Sequence, residues 1–210
     1  MTAFEREVLR YLGNAAPDAR LTALIASVEA ELRREVRPRG VRRRLNIAIE
    51  ESGMTVEGFR FASRALSQNL RGCKEACFAA ATLGAEADRR LRRFSALDLP
   101  RAAVWQAGCA AYLEEYLGGM EDGLRREAPG LYLRPRFSPG YGDLDISHQR
   151  AMFDLLELEK RLGLSLTQTH MMLPEKSVTA IAGLSDVPGA RVGGCAACTK
   201  TDCPNRRKDA

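Results

Sequence analysis

Two short stretches of this chain bring together residue types that can do chemistry. The first is Arg136-Phe137-Ser138-Pro139-Gly140-Tyr141, which puts a fixed cation, a kinked backbone and a phenol within six residues. Pro139 fixes its own φ and restricts Ser138 before it, while Gly140 can take a positive φ, so the backbone can turn and approach a ligand closely. Arg136 offers a planar fork of donors suited to a carboxylate. Tyr141 offers a ring to cover a flat group and a hydroxyl to fix it. The chemistry implied is recognition of a small zwitterionic or planar ligand. The bland alternative is a Pro-Gly turn beside a surface arginine.

The second stretch is Cys195-Ala196-Ala197-Cys198-Thr199-Lys200-Thr201-Asp202-Cys203-Pro204. Its C-x2-C-x4-C spacing places three soft thiols on one short loop, and thiolates favour zinc, copper(I) or an iron–sulfur cluster. Lys200, Arg206, Arg207 and Lys208 surround them with positive charge, which supports thiolate character. Cys195, Cys198 and Cys203 are therefore candidate ligands, with Cys73 or Cys77 as a potential fourth. The alternative is a set of free thiols on a flexible tail. Six cysteines in 210 residues, three of them within nine positions, fit a reducing cytoplasm better than a disulfide scaffold.

The elements that must position these residues read as mixed helix and strand. Residues 3–12 and 18–36 have apolar residues at helical spacing, with Asp18 as a cap and Pro38 and Gly40 as terminators. Short β-like pieces span 45–61, broken at Ser52-Gly53 and Gly58. Helix is predicted over 63–71 and 85–97, and a buried strand or a tight small-residue segment over 77–83. Asp98 caps a long helix over about 99–127, with Pro100 in its first turn. Residues 131–137 can be extended. Ser147 or Asp145 caps a helix that runs to Gly163. Residues 165–173 and 177–185 alternate enough for a hairpin around Pro174-Glu175-Lys176.

The charge balance is modest at +5, but residues 33–44 hold seven arginines against one acid. This reads either as an Arg-rich helix end and loop, or as a surface facing an anion: a phosphate-bearing group, an acidic partner or nucleic acid. No apolar run reaches ~18 residues, so no membrane span is expected. The N-terminal residues lack the pattern of a signal peptide, which again points to the cytoplasm.

Arg-x-x-Pro-Gly-Tyr resembles the S-adenosylmethionine (AdoMet) binding motif in the activation domain of cobalamin-dependent methionine synthase. The resemblance extends from Tyr132 to Asp186. It takes in Leu155, Leu156, Glu157 and Glu159-Lys160, then Leu166-Thr167-Gln168-Thr169, then Met172 through Ala180. Thr82-Leu83-Gly84 with Asp88-Arg89 is similar to short, stand-alone members of the family. No cobalamin-binding Asp-x-His-x-x-Gly motif is present, so the expectation is the activation module alone, over residues 1–190, with a cysteine-rich tail over 191–210.

The resemblance implies an α+β fold, with helices packed on a bent, mostly antiparallel sheet. It implies that AdoMet is bound by Arg136 at its carboxylate, by the backbone at Ser138 and Gly140 on the adenine or ribose side, and by Tyr141 beside the ligand. Glu114 or Glu115 is a candidate for the AdoMet amino group, and His148 is a further polar residue near the turn. The implied task is reductive methylation of cob(II)alamin carried by a partner, a shortened methionine synthase or another corrinoid methyltransferase. A flavodoxin or ferredoxin would supply the electron. The tail departs from the long multidomain enzyme, which suggests electron delivery or contact with the corrinoid.

Two other function classes stay open on the residues alone. Residues 145–169 superficially resemble a winged helix-turn-helix, which would make the chain a DNA-binding regulator. That fold needs a recognition helix after the turn, and the segment that follows has a proline and a β-branched pattern instead. The tail would equally suit a structural zinc-binding interaction module.

Overall fold

The computed structural model describes residues 1–13 and 16–188. The fold is α+β, as predicted: helices on both faces of an antiparallel sheet, with a smaller sheet beside it. Four strands make the main sheet, in the order β1 (Arg39–Asn46), β5 (Glu75–Thr82), β9 (Ser177–Ser185), β6 (Tyr132–Leu133). The small sheet runs β2 (Ala48–Glu50), β3 (Gly53–Val56), β4 (Phe59–Ala62).

β5 and β9 are central and buried on both faces, which is why their sequences read as near-continuous small and apolar runs. Their register alternates side chains between two cores. Phe78 pairs with Ile181 on one face; Cys77 pairs with Ala182, and Ala79 with Ala180, on the other. The Phe78 face meets α3 (Arg64–Asn69), α6 (Gln149–Leu156) and α7 (Leu158–Leu162) in one apolar core with Met54 and Phe61. The Cys77 face is covered by the C-terminal part of α5 (Leu99–Glu127).

α5 is the organising helix. Asp98 accepts a hydrogen bond from the Arg101 N–H at 3.0 Å, and Pro100 sits in the first turn, as the sequence predicts. Its N-terminal half packs with α1 (Ala3–Tyr11), α2 (Ala19–Glu35) and α4 (Ala85–Leu97) around a fully buried Trp105. The Trp105 indole donates to the Ala87 carbonyl at 3.0 Å, so its one polar atom is satisfied. The C-terminal half lies close on the sheet. A Cβ at Gly40 would come within 2.8 Å of the Tyr116 ring, so only glycine lets β1 and α5 approach this far.

The sequence expectation fails at three places. Residues 33–44 begin as the expected helix end but continue as a strand rather than a loop. After α2 ends at Glu35, β1 begins at Arg39 and forms the edge of the main sheet. Its arginines act as clamps. Arg39 donates to the Leu162 carbonyl and Arg43 to the Leu155 carbonyl, both at 2.8 Å, satisfying the ends of α7 and α6. Arg42 reaches Glu127 at 2.6 Å, and Arg44 pairs with Glu75. Arg33, Arg34 and Arg37 are likewise engaged, with Glu115 and Glu29, Glu35 and the Arg33 carbonyl.

The helix predicted to run to Gly163 breaks at Glu157, which takes a left-handed conformation with φ 53°. Such a conformation costs about 1–2 kcal/mol for an L residue. It is offset by the burial of Leu158 and Leu162, which the change of direction turns into the core. Asp145, one of the two cap candidates, accepts from the Ser147 N–H at 2.8 Å and starts a 3-10 turn over Ile146–His148.

The hairpin predicted between 165–173 and 177–185 is absent. β7 (Ser165–Leu166) pairs instead with β8 (Met172–Leu173). β9 crosses to the middle of the main sheet, because a strand buried on both faces is best placed between two partners. With residues 177–185 in a central strand, no recognition helix follows the turn that resembled a helix-turn-helix. Among the described residues no helix is long and apolar enough to cross a membrane.

Candidate functional site

β6 covers only two residues of β9. Beyond it, a single bridge between Phe137 and Ile181 carries the chain along the sheet edge into the Ser138-Pro139-Gly140-Tyr141 turn. Phe137 N–H donates to the Ile181 carbonyl at 2.9 Å and its carbonyl accepts the Ile181 N–H at 2.7 Å. The Ser138 hydroxyl then donates to the Thr179 carbonyl at 2.7 Å, and Thr179 Oγ1 donates to Gln149 Oε1 at 2.7 Å. The start of the turn is thus fixed to the central strand and, through Gln149, to α6.

Gly140 has φ 93°, a conformation that L side chains rarely adopt. Its N–H donates to the Leu144 carbonyl at 2.7 Å, Tyr141 N–H to the Ser138 carbonyl at 3.0 Å, and Leu144 N–H to the Tyr141 carbonyl at 2.9 Å. Among the described residues the Ser138 N–H and the Gly140 carbonyl take part in none of these bonds, so both are open to another partner. Tyr141 is 60% exposed, its ring edge-on to Phe137 with centroids 6.3 Å apart.

Arg136 leans from the turn onto α5. Its Nη2 lies 2.7 Å from Glu114 Oε2 and its Nε 2.9 Å from Glu121 Oε1. Glu114 and Glu121 are seven residues apart and so share one face of the helix. Glu115, one residue on, is rotated away and pairs with Arg33 instead. One half-buried cation therefore faces two carboxylates, of which Glu121 is shared with Arg125 at 3.3 Å while Glu114 faces Arg136. Sequence reasoning named Glu114 but not Glu121; the seven-residue spacing was the signal available.

Behind this cluster, Cys77, Ala79, Ala180, Leu117, Met120 and Leu124 line a cavity of about 20 Å³, with Arg42, Glu121 and Arg136 at its edge. That is room for about one water molecule, so a ligand at Arg136 must lie outside this cavity.

His148 does not join Arg136. Its ring stacks on Phe61 with centroids 5.5 Å apart, and its Nε2 accepts the Ala62 N–H at 3.3 Å. Burial holds the imidazole below its ordinary value, with Asp145 opposing. Asp143, which sequence reasoning missed, ties the same loop to α3, and its carboxyl is held below the ordinary range chiefly by the Ser63 hydroxyl.

Cys195, Cys198 and Cys203 lie outside the described residues. Cys73 and Cys77, the potential fourth ligands, are buried, and burial pushes both thiols up, Cys77 to about 11. Neither presents a thiolate at the surface. Among the described residues no group of three or more histidine, cysteine or acidic side chains is arranged to hold a metal.

The family model of the vitamin B12-dependent methionine synthase activation domain matches residues 126–197, a span that includes the whole turn and ends between Cys195 and Cys198. The chain is similar to that activation domain. The likeness extends to the fold: the crystal structure of the MetH reactivation domain bound to AdoHcy matches with a TM-score of 0.58. It is 20% identical, with 83% of this chain and 68% of that one covered. No curated relative matches the chain. The matched segment contains the turn with Arg136, α6, α7 and β9, while Glu114 and Glu121 on α5 lie before it.

Proposed function

We propose that this chain binds AdoMet at the 136–141 turn and uses it to reactivate a corrinoid protein whose cobalt has been oxidised. The observation that carries this reading is the Arg136–Glu114 pair beside a glycine turn with unspent backbone groups. An amino-acid head group is a zwitterion, and an arginine beside a glutamate is its complement. Arg136 takes the α-carboxylate and Glu114 turns from Arg136 to the ammonium group. The Ser138 N–H and the Gly140 carbonyl face the adenine or ribose side. Tyr141, exposed and unburdened by the core, lies beside the ligand where a corrin can meet it.

In the reaction so proposed, a partner's cob(II)alamin accepts one electron from a flavodoxin or ferredoxin and becomes cob(I)alamin. Its cobalt attacks the AdoMet methyl carbon, and the bond from that carbon to sulfur breaks. The products are a methylated corrinoid and S-adenosylhomocysteine (AdoHcy). No side chain of this chain is asked to act as nucleophile or base. Its work is positioning, which can lower a barrier by about 7–11 kcal/mol when two reactants are held in line. The module occupies residues 1–190, and the tail of 191–210 holds zinc or an iron–sulfur cluster through Cys195, Cys198 and Cys203.

Isothermal calorimetry on the full chain tests the central step. Binding of AdoMet and AdoHcy, each at one site, is expected. A folded protein that binds neither, alone or with a cob(II)alamin-loaded methyltransferase, would falsify the reading.

A further inference from the structure

We infer that Asp143 is a positioning residue for the ligand turn, fixing the backbone of residues 138–141 by tying the loop that closes it to the start of α3. This rests on the AdoMet reading of the turn given above.

The Asp143 carboxylate collects three donors from residues some 80 positions earlier in the chain. Its Oδ1 accepts from the Ser63 hydroxyl and, at 3.1 Å, from the Ala65 N–H; its Oδ2 accepts from the Arg64 N–H at 2.9 Å. Hydrogen bonds to a charged acceptor are stronger than neutral ones, and together they fix both oxygens. Gly142 presses the loop flat on α3, where a Cβ would lie 3.1 Å from the Ala65 Cβ. Leu144, almost fully buried, then returns its carbonyl to the Gly140 N–H at 2.7 Å.

The tie also accepts two N–H groups in the first turn of α3, but that helix does not depend on it alone. α3 already has its own cap, since the Ser63 hydroxyl accepts the Leu66 N–H at 2.9 Å. Asp143 and Gly140 are both exposed, and within residues 140–144 only Leu144 is buried in the core. Without the carboxylate, the far side of the turn would rest on Leu144 and on the single long bond to His148. The near side would stay fixed through Ser138 to Thr179. The consequence falls on the backbone between them, which is the adenosine side of the proposed site and not the Arg136 side.

That asymmetry gives a test on the full chain. AdoHcy and 5′-methylthioadenosine, which lacks the amino-acid head, are titrated into wild type, Asp143→Ala, Asp143→Asn and Arg136→Ala. Asp143→Ala is expected to weaken both ligands by roughly tenfold, about the loss of one charge-assisted hydrogen bond. Asp143→Asn, which keeps one acceptor oxygen, should fall between. Arg136→Ala should weaken AdoHcy and leave methylthioadenosine unchanged. Hydrogen exchange should quicken over residues 137–148 in Asp143→Ala and not in β5 or β9. Should Asp143→Ala fail to fold, Asp143→Asn and Ser63→Ala carry the same comparison. Affinities within twofold of wild type for both ligands, or a loss confined to AdoHcy, overturn the role of Asp143 and leave the binding site standing. A folded wild type that binds neither ligand takes down the site and this inference together.

Discussion

Arg136 donates to Glu114 at 2.7 Å across the gap between the turn and the long helix α5. The pair is partly buried, so both charges are held in place without being sealed from a ligand. A zwitterion can replace the internal pair with two new ones, carboxylate to Arg136 and ammonium to Glu114, leaving Glu121 on the Arg136 Nε.

The first expected outcome concerns that exchange. Arg136→Ala should weaken AdoMet binding by about 1.5–3 kcal/mol, the usual worth of a hydrogen bond to a charged group. Glu114→Gln should weaken it less, because the amide oxygen can still accept from an ammonium. Calorimetry on both variants checks this. An Arg136→Ala affinity equal to wild type would move the head-group site elsewhere.

The turn itself makes a second test. At φ 93°, an alanine in place of Gly140 would be strained whatever the free space, and its Cβ would also touch Ile146 Cδ1 at 3.3 Å. Gly140→Ala should lower stability by about 1–2 kcal/mol. It should also weaken AdoMet, since relief of the strain displaces the Gly140 carbonyl. Denaturant unfolding beside ligand titration separates the two effects. A variant as stable as wild type would mean that the turn is free to take another shape.

His148 gives the pH dependence. As the neutral base its Nε2 accepts the Ala62 N–H, and burial holds its pKa below the ordinary 6.5. In the unfolded chain it protonates first, so the unfolded state gains protons before the folded one does. The stability contribution is therefore fully present above about pH 6.5 and is lost as pH falls toward the lowered folded value. Chemical denaturation at steps between pH 7.5 and 5 should show this decline. His148→Gln, whose amide oxygen can still accept, should flatten it. A wild-type profile that stays level across the window would remove His148 as its cause.

How much of this was legible in the sequence depended on range. The cap, length and proline of α5 are local, and they were read directly from Asp98 and Pro100. The turn was legible because Pro139 and Gly140 carry their backbone preferences with them. The arginines of β1 were not, because their partners Leu155 and Leu162 are carbonyls on helices more than a hundred residues away. The misplaced β9 failed for the same reason: alternation shows that a strand exists, not which neighbour it finds. Glu114 and Glu115 could not be told apart until the rotation of α5 sent one to Arg136 and the other to Arg33. Asp143 looked like a loop acid, since nothing near it in sequence hints at Ser63.

The cysteines divide into two sets with different expected reactivity. Burial pushes the Cys77 thiol up to about 11 and the Cys109 thiol up to about 12, so both stay protonated and slow near neutral pH. Alkylation of native protein at pH 7.5 should spare Cys73, Cys77 and Cys109. Anaerobically prepared protein should carry zinc or iron in elemental analysis. The triple change of Cys195, Cys198 and Cys203 to serine should abolish it. Metal retained by that variant would place the ligands elsewhere in the chain, and metal-free wild type would leave the tail as free thiols.

Tyr141 tests the reaction as distinct from binding. Its ring is 60% exposed, it makes one edge contact with Phe137, and its loss leaves no cavity in the core. In the proposed reaction this exposed ring beside the ligand turn is free to meet a second surface, the partner's corrin. The assay mixes the full chain, AdoMet and a low-potential reductant with a cob(II)alamin-loaded methyltransferase, and follows the corrin absorption spectrum. Wild type should convert cob(II)alamin to methylcobalamin. Tyr141→Ala should slow that conversion by more than it weakens AdoMet binding in calorimetry, because the ring acts where methyl group and corrin meet. Tyr141→Phe should recover most of the rate, since the argument rests on the ring and not the hydroxyl. Equal losses in rate and affinity would make Tyr141 a contact to AdoMet alone. No spectral change with wild type, in protein that binds AdoMet, would separate ligand binding from reactivation and leave only the former.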